Sequence, residues 1–237
     1  MKIEKAVFGI TKCGEPVSCY TIYTPDLRVK LLDYGATVQS LFVKDNDGKW
    51  VDVVLGYDTI REYEENDGCF GACIGRVANR IGGAKFTLNG TAYSLYKNDG
   101  ENHLHGGLRG FNRYVWQAEE VENGLRFSRV SPDGEEGYPG TLHVSVTYLV
   151  HGSTLTLDYR ARSDADTLCN LTNHAYFNLS GKGTVLNHLL RINAARFLEN
   201  DAGCLPTGRL LSVADTPFDF RTEKEIGRDI EQDDIQL

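Results

Sequence analysis

Hydrophobic and polar residues alternate along much of the chain, which is the period of a half-buried strand. The clearest example is the segment 142–149, which is followed, after a turn at His151-Gly152-Ser153, by a second alternating segment at 155–160. In both segments every second residue is apolar, so one face is expected to be buried while the other meets solvent. Strands of this kind at regular spacing predict an all-β protein built as an antiparallel sandwich or barrel.

Two-residue turn signals separate several of the predicted strands. Asp47-Gly48, Asn89-Gly90 and Asn123-Gly124 each lie between two runs rich in β-forming residues. Asn, Asp and Gly tolerate the positive φ angles of tight hairpin turns, so the three pairs predict three hairpins. A helical pattern is confined to the segment 58–66, for which we predict one or two turns.

The whole chain, residues 1–237, is predicted to form a single domain. It contains neither a linker composition nor a low-complexity segment nor a clean repeat. The acidic segment Glu223–Leu237 is predicted to lack a terminal strand or capping element, which would leave a sheet edge unpaired.

Charge and composition narrow the class of protein. The formal net charge is -8, which argues against nucleic acid as a partner. No apolar run is long enough to cross a bilayer, and the segment Met1–Ala6 does not begin a secretory signal. The six cysteines are scattered, so we expect reduced thiols and a cytoplasmic protein.

The run 171–179 is the most informative stretch for function. If it forms a strand, His174, Tyr176 and Asn178 lie on the same face. An imidazole, a phenol and an amide in one row suit a polyhydroxylated ligand, although a structural hydrogen-bond network would use the same residue types.

Two glycine-rich runs add further polar side chains. The run 75–83 carries Arg76, Asn79 and Arg80 between glycines, but it does not match a phosphate-binding loop. In the run 102–107, His103 and His105 are two residues apart and share a face if that run is a strand. A metal site completed by His174, a catalytic or sugar-binding role for one histidine, and a structural role all remain open for this pair.

Carboxylates occur in two further clusters. Glu135 and Glu136 are adjacent, so on an extended chain they face opposite ways and cannot jointly flank one glycosidic bond. Asp219 lies between Phe218 and Phe220, where a carboxylate needs either an ion-pair partner or a ligand.

Five runs, taken in order, resemble the aldose 1-epimerase (galactose mutarotase) family. They are the segments 75–81, 102–107, 133–140, 172–179 and 205–208. The resemblance implies an antiparallel β-supersandwich with an open sugar cleft. It also implies interconversion of the α and β anomers of a free aldose, with no metal and no cofactor.

The same resemblance implies roles for single residues. His174 matches the catalytic histidine that protonates the ring oxygen, and His105 matches the second active-site histidine. Asn79, Arg80, Tyr176 and Asp219 match positions that bind the sugar, whereas the family does not require histidine at His103.

The resemblance also implies a general base that this sequence does not match. The family places a glutamate in a C-terminal segment beyond the position of Leu237, so the supersandwich is expected to be incomplete at its C-terminus. We expect a weakened catalyst that is a monomer or weak dimer, with a complementing C-terminal segment as a partner. A non-catalytic sugar-binding or sensor domain and a hexose-6-phosphate epimerase are the alternatives.

Overall fold

The N-terminal part of the chain forms a five-stranded antiparallel sheet whose strands follow sequence order. The computed structural model describes residues 1–234 and 236–237. The strands of this sheet are β1 (Lys2–Ile10), β2 (Pro16–Tyr23), β3 (Leu27–Leu32), β4 (Thr37–Lys44) and β5 (Trp50–Asp52). The predicted Asp47-Gly48 hairpin is confirmed, because β4 pairs with β5 across that turn.

A short helix, α1 (Ile60–Glu65), follows the first sheet and confirms the predicted helical segment. Thr59 caps its N-terminus, and Glu62 completes a capping box by accepting from the Thr59 backbone N–H. Ile60 and Tyr63 are buried against Val17 and its neighbours, so the helix is held by its apolar side.

Short strands connect the helix to the second large sheet. They are β6 (Cys73–Ile74), β7 (Arg80–Ile81), β8 (Lys85–Leu88), β9 (Thr91–Ser94) and β10 (His103–Leu104). Asn89 and Gly90 both have positive φ, as a two-residue type I′ turn requires, and the predicted β8–β9 hairpin is confirmed. Pairing of β7 with β10 places Arg80 opposite Leu104.

The second large sheet contains the strongly alternating segments. Its strands are β11 (Gln117–Val121), β12 (Gly124–Ser131), β13 (Leu142–His151) and β14 (Thr154–Ser163), all antiparallel and in sequence order. The predicted turn at Asn123-Gly124 is displaced by one residue, because Val121 pairs with Gly124 and the turn is Glu122-Asn123. Gly124 belongs to the strand, where an added Cβ would lie 2.0 Å from the Tyr148 carbonyl oxygen.

The two large sheets share one hydrophobic core. Ile22 and Val29 from the first sheet lie in the same buried cluster as Phe127 and Tyr148 from the second. The strand β15 (Thr172–Asn173) then pairs with β6, which brings the run 171–179 back to the residues that follow α1.

The chain divides into two compact units, Met1–Phe177 and Asn178–Leu237. The second unit contains β16 (Leu189–Leu190), β17 (Arg196–Asn200), β18 (Pro206–Ser212) and β19 (Lys224–Glu225). The segment 223–237 begins with β19, whose backbone pairs with β16, and Lys224 forms an ion pair with Asp229. That this segment lacks a terminal strand or capping element stays a prediction. That residues 1–237 form a single domain stays a prediction.

Four short 3₁₀ turns complete the described elements: Gly82–Ala84, Phe111–Arg113, Glu135–Gly137 and Ile226–Asp229. Among the described residues, no helix has the length and apolar character needed to pass through a membrane.

Candidate active site

Within the run 171–179 only the two residues of β15 form a strand, and Phe177 adds an isolated bridge to Val54. His174 is held on both sides of its backbone: its N–H donates to the Ala72 carbonyl at 2.9 Å, and its carbonyl accepts from Gly71 N–H at 3.0 Å. The prediction that Asn178 lies in a row with His174 and Tyr176 is wrong. Asn178 is buried, and its amide donates to the Lys182 and Gly183 carbonyls of its own turn.

Three of the predicted rings come together in the first unit. The His105 and His174 ring centroids are 5.1 Å apart with planes at 87°, and the His174 and Tyr176 centroids are also 5.1 Å apart. Tyr176 packs edge-on against Phe70 and keeps 43% of its surface exposed. The result is a partly open surface that carries two imidazoles and a phenol.

The His105 ring is fixed by the backbone of Asn79. Asn79 N–H donates to His105 Nδ1 at 2.9 Å, while His105 N–H donates to the Asn79 carbonyl at 3.1 Å. Because Nδ1 accepts a hydrogen bond, the neutral ring carries its proton on Nε2. His105 has a positive φ of 54°, so the chain turns here instead of continuing β10.

His103 has a different environment, and the prediction that it shares a face with His105 is wrong. It is fully buried, with Nδ1 at 2.8 Å from the Tyr96 carbonyl and Nε2 at 2.8 Å from the Tyr138 hydroxyl. Both ring nitrogens are therefore occupied within the core. Among the described residues, no group of three or more His, Cys, Asp or Glu side chains is arranged to hold a metal ion.

The protonation of His105 follows from this environment. Burial, together with the nearby His174 and Arg80 and against a smaller opposing effect of Asp99, lowers its pKa to about 4. His105 is therefore neutral at pH 7 and can donate through Nε2 without carrying a charge.

Asn79 and Arg80 lie on the segment whose backbone forms hydrogen bonds with His105. Arg80 Nε donates to Asp99 Oδ2 at 2.6 Å, and Arg80 Nη1 lies 3.3 Å from Asn79 Oδ1. Asp99 thus fixes the guanidinium, and Asn79 is exposed beside it. Together these contacts place an amide and a guanidinium next to the two imidazoles.

Arg76 is a residue whose role the sequence analysis did not resolve. It is fully buried, and its guanidinium donates to Ser131 Oγ and to the carbonyls of Ser131, Pro132 and Pro139. It therefore anchors the run 75–83 to the run 131–139. The only sequence signal for this function was the presence of an arginine among glycines.

The adjacent carboxylates of Glu135 and Glu136 face different partners, as predicted. Glu135 forms a buried ion pair with Arg129, whereas Glu136 accepts from the Leu108 and Arg109 N–H groups. Asp219 lies in the second unit and forms a two-pronged ion pair with Arg221 at 2.8 and 2.6 Å, which lowers the pKa of Asp219 to about 2. The ion-pair alternative for Asp219 is thus observed.

A separate concave surface of about 890 Å³ lies on the solvent side of the second sheet. Its lining includes His143, Arg160 and Arg162 but neither His105 nor His174. Its other arginines, Arg126 and Arg129, are paired with carboxylates. This surface has mixed charge and does not include the histidine cluster.

Fold and site together define an antiparallel β-sandwich protein with two histidine rings 5.1 Å apart on a partly open surface. A sequence model described as Aldose 1-epimerase matches residues 18–236. The chain belongs to the aldose 1-epimerase family, and its fold is galactose mutarotase-like, as predicted.

Individual relatives agree with this assignment. The galactose mutarotase of Sus scrofa is 44% identical over 235 residues, which cover 98% of this chain and 69% of the pig protein. The crystal structure of galactose 1-epimerase from Lactobacillus acidophilus NCFM has a TM-score of 0.85 and 30% identity, covering 99% of this chain and 70% of that one. An aldose epimerase homologue from C. elegans has a TM-score of 0.83 and 38% identity, covering 90% of this chain and 67% of its own.

Proposed function

We propose that this protein is an isomerase of the cytoplasm that interconverts the α and β anomers of free aldohexoses such as glucose or galactose. The observation that carries the proposal is the pairing of His174 with a neutral His105, whose rings are 5.1 Å apart in a partly open site. Membership of the aldose 1-epimerase family supports the same reaction.

The chemistry needs two proton transfers in each direction. Ring opening passes the proton of the anomeric hydroxyl to a general base, a role that the family resemblance gives to a glutamate. As the bond between C1 and the ring oxygen breaks, the C1 aldehyde forms and an acid delivers a proton to the ring oxygen. After rotation about the C1–C2 bond, closure on the other face reverses both transfers. In our proposal His174 is the acid that protonates the ring oxygen, because an imidazole exchanges a proton readily near neutral pH.

His105 has a different part in this proposal. Its Nδ1 already accepts from Asn79 N–H, so Nε2 is the nitrogen left to donate to a sugar oxygen. A neutral donor can polarise the ring oxygen without competing with His174 for the proton.

The sugar hydroxyls need further partners. We propose that Asn79, Arg80 and Tyr176 bind them, since these side chains lie around the histidine pair. For Asp219 a sugar-binding role is proposed on the resemblance alone; its ion pair with Arg221 leaves lone pairs on the carboxylate for hydroxyl donors. We propose a small-molecule aldose as the partner and a monomer or weak dimer as the state of the protein.

Polarimetry on freshly dissolved α-D-galactose tests the function. We expect the optical rotation to reach equilibrium faster in proportion to protein concentration, and His174→Ala to lower that rate by roughly 10²–10⁴-fold. The matched control is His143→Ala, which removes an exposed histidine from the second sheet and should leave the rate unchanged. An unchanged rate in His174→Ala would remove His174 from the acid role.

A non-catalytic sugar-binding protein is the second candidate. The observation that favours it is Asp99, a carboxylate next to the histidine site that is occupied by Arg80 instead of being available as a base. Calorimetry separates the two candidates: binding of galactose without faster mutarotation supports a binding protein. Faster equilibration of glucose 6-phosphate than of glucose would indicate a hexose-6-phosphate epimerase.

A further inference from the structure

The amide side chain of Asn173 joins two parts of the chain around His174. Asn173 Nδ2 donates to the Gly71 carbonyl at 2.7 Å, and Asn173 Oδ1 accepts from Ala175 N–H at 3.0 Å. One side chain therefore bridges the segment before β6 and the residue after His174.

The Gly71 carbonyl, which accepts from this amide, is itself held by the first sheet. The Gly71 carbonyl also accepts from Val38 N–H of β4 at 2.9 Å. Gly71 has a φ of +66°, and a Cβ added there would lie 2.0 Å from the Val38 carbonyl oxygen. Asn173 is thus tied to a backbone position that is close-packed against the first sheet.

The bond to Ala175 spans His174. Asn173 Oδ1 accepts from the Ala175 N–H, so the side chain before His174 binds the residue after it. Tyr176 follows directly, and its carbonyl accepts from Leu55 N–H at 2.9 Å. The same amide therefore restrains the chain on both sides of His174.

We infer that Asn173 is a positioning residue, whose amide holds the His174 imidazole against His105 and beside Tyr176. This inference rests on the proposed function for its catalytic consequence, but the geometry it describes is independent of turnover. Reactions that depend on a positioned acid lose rate steeply when that acid moves by about 1 Å.

The test uses the full 237-residue chain with Asn173→Ala, and with Asn170→Ala as matched control, because Asn170 is an exposed amide three residues earlier. The first readout is the pKa of the His105 imidazole, which is measured by NMR titration of the ¹⁵N-labelled rings. His174 helps to lower this pKa, so its displacement in Asn173→Ala raises the pKa of His105, while Asn170→Ala leaves it unchanged. The second readout is mutarotation, in which kcat falls roughly 10- to 100-fold and KM changes much less.

Asn173→Ser keeps the inference testable where Asn173→Ala fails to fold. The serine side chain is shorter than that of asparagine and carries a single hydroxyl, so it reaches only one of the two partners. The rise in the pKa of His105 and the fall in kcat should therefore both be intermediate. Wild-type values of both readouts in Asn173→Ala or Asn173→Ser overturn the inference. If no variant and no wild-type protein accelerates mutarotation, yet the pKa of His105 rises only in the Asn173 variants, the proposed function fails and the positioning role stands.

Discussion

A single backbone N–H decides what His105 can do. Asn79 N–H occupies Nδ1, and burial beside His174 and Arg80 keeps the ring neutral. A histidine in this state is a hydrogen-bond donor and not a proton source, so we propose the acid role for its neighbour His174. In this proposal two identical side chains whose rings are 5.1 Å apart have different roles.

The neutral state of His105 makes stability depend on pH. Its pKa falls from 6.5 in the unfolded chain to about 4 in the folded protein, so between these values the unfolded chain binds a proton that the folded protein does not. The stability linked to this group is complete above pH 6.5 and is lost as the pH falls from 6.5 to about 4. We expect urea unfolding to show a larger loss of free energy between pH 7.5 and pH 5 in the wild type than in His105→Asn. Equal losses in both proteins would contradict this account, and His143→Asn serves as the control.

At the scale of elements, the loops of the first unit are held by buried side chains more than by strand pairing. The strands β6, β7, β10 and β15 are each only two residues long. Arg76 compensates by binding carbonyls of the run 131–139, and Glu136 holds the N–H groups of Leu108 and Arg109. The histidine pair therefore depends on polar contacts between loops.

Substitution of Arg76 tests this dependence. Arg76→Lys keeps the charge but cannot reach the same set of acceptors, and several carbonyls would be left buried without a donor. We expect the free energy of unfolding to fall by about 3 kcal/mol. Arg162→Lys, an exposed change of the same kind on β14, should alter it by less than about 0.5 kcal/mol. Denaturant titration of both variants measures the difference, and equal midpoints would refute the anchoring role.

The sequence predicts best those elements whose stabilising contacts lie within the element itself. The Asn89-Gly90 hairpin and α1 follow from residues within the elements themselves, and both are present. The strand expected through His174 is limited to β15, where Asn173 binds Gly71, a residue 102 positions away. The alternation of residues 171–179 could not predict that contact.

The candidate site shows the same limit. Periodicity alone could not predict that His105 meets His174 while His103 enters the core, since the separation arises from a positive φ at His105. The ordered runs that resemble the aldose 1-epimerase family selected His105 and His174, and the structure brings these two together. The roles of Arg76 and Asn173 required the three-dimensional contacts.

At the scale of the whole molecule, the fold is explained by the alternating segments and the function by the first unit. The two large sheets bury a common core, and the histidine pair lies on the connections between short strands of the same unit. The net charge of -8 fits a neutral small-molecule ligand without selecting it. We therefore expect residues of this unit to interconvert sugar anomers.

Exchange spectroscopy on galactose at anomeric equilibrium measures this interconversion directly, because the exchange between the α and β anomeric protons is the reaction itself. We predict that the exchange rate rises linearly with protein concentration and returns to the buffer value in His174→Ala. An exchange rate equal to that of buffer at every protein concentration, with galactose bound, would contradict the account.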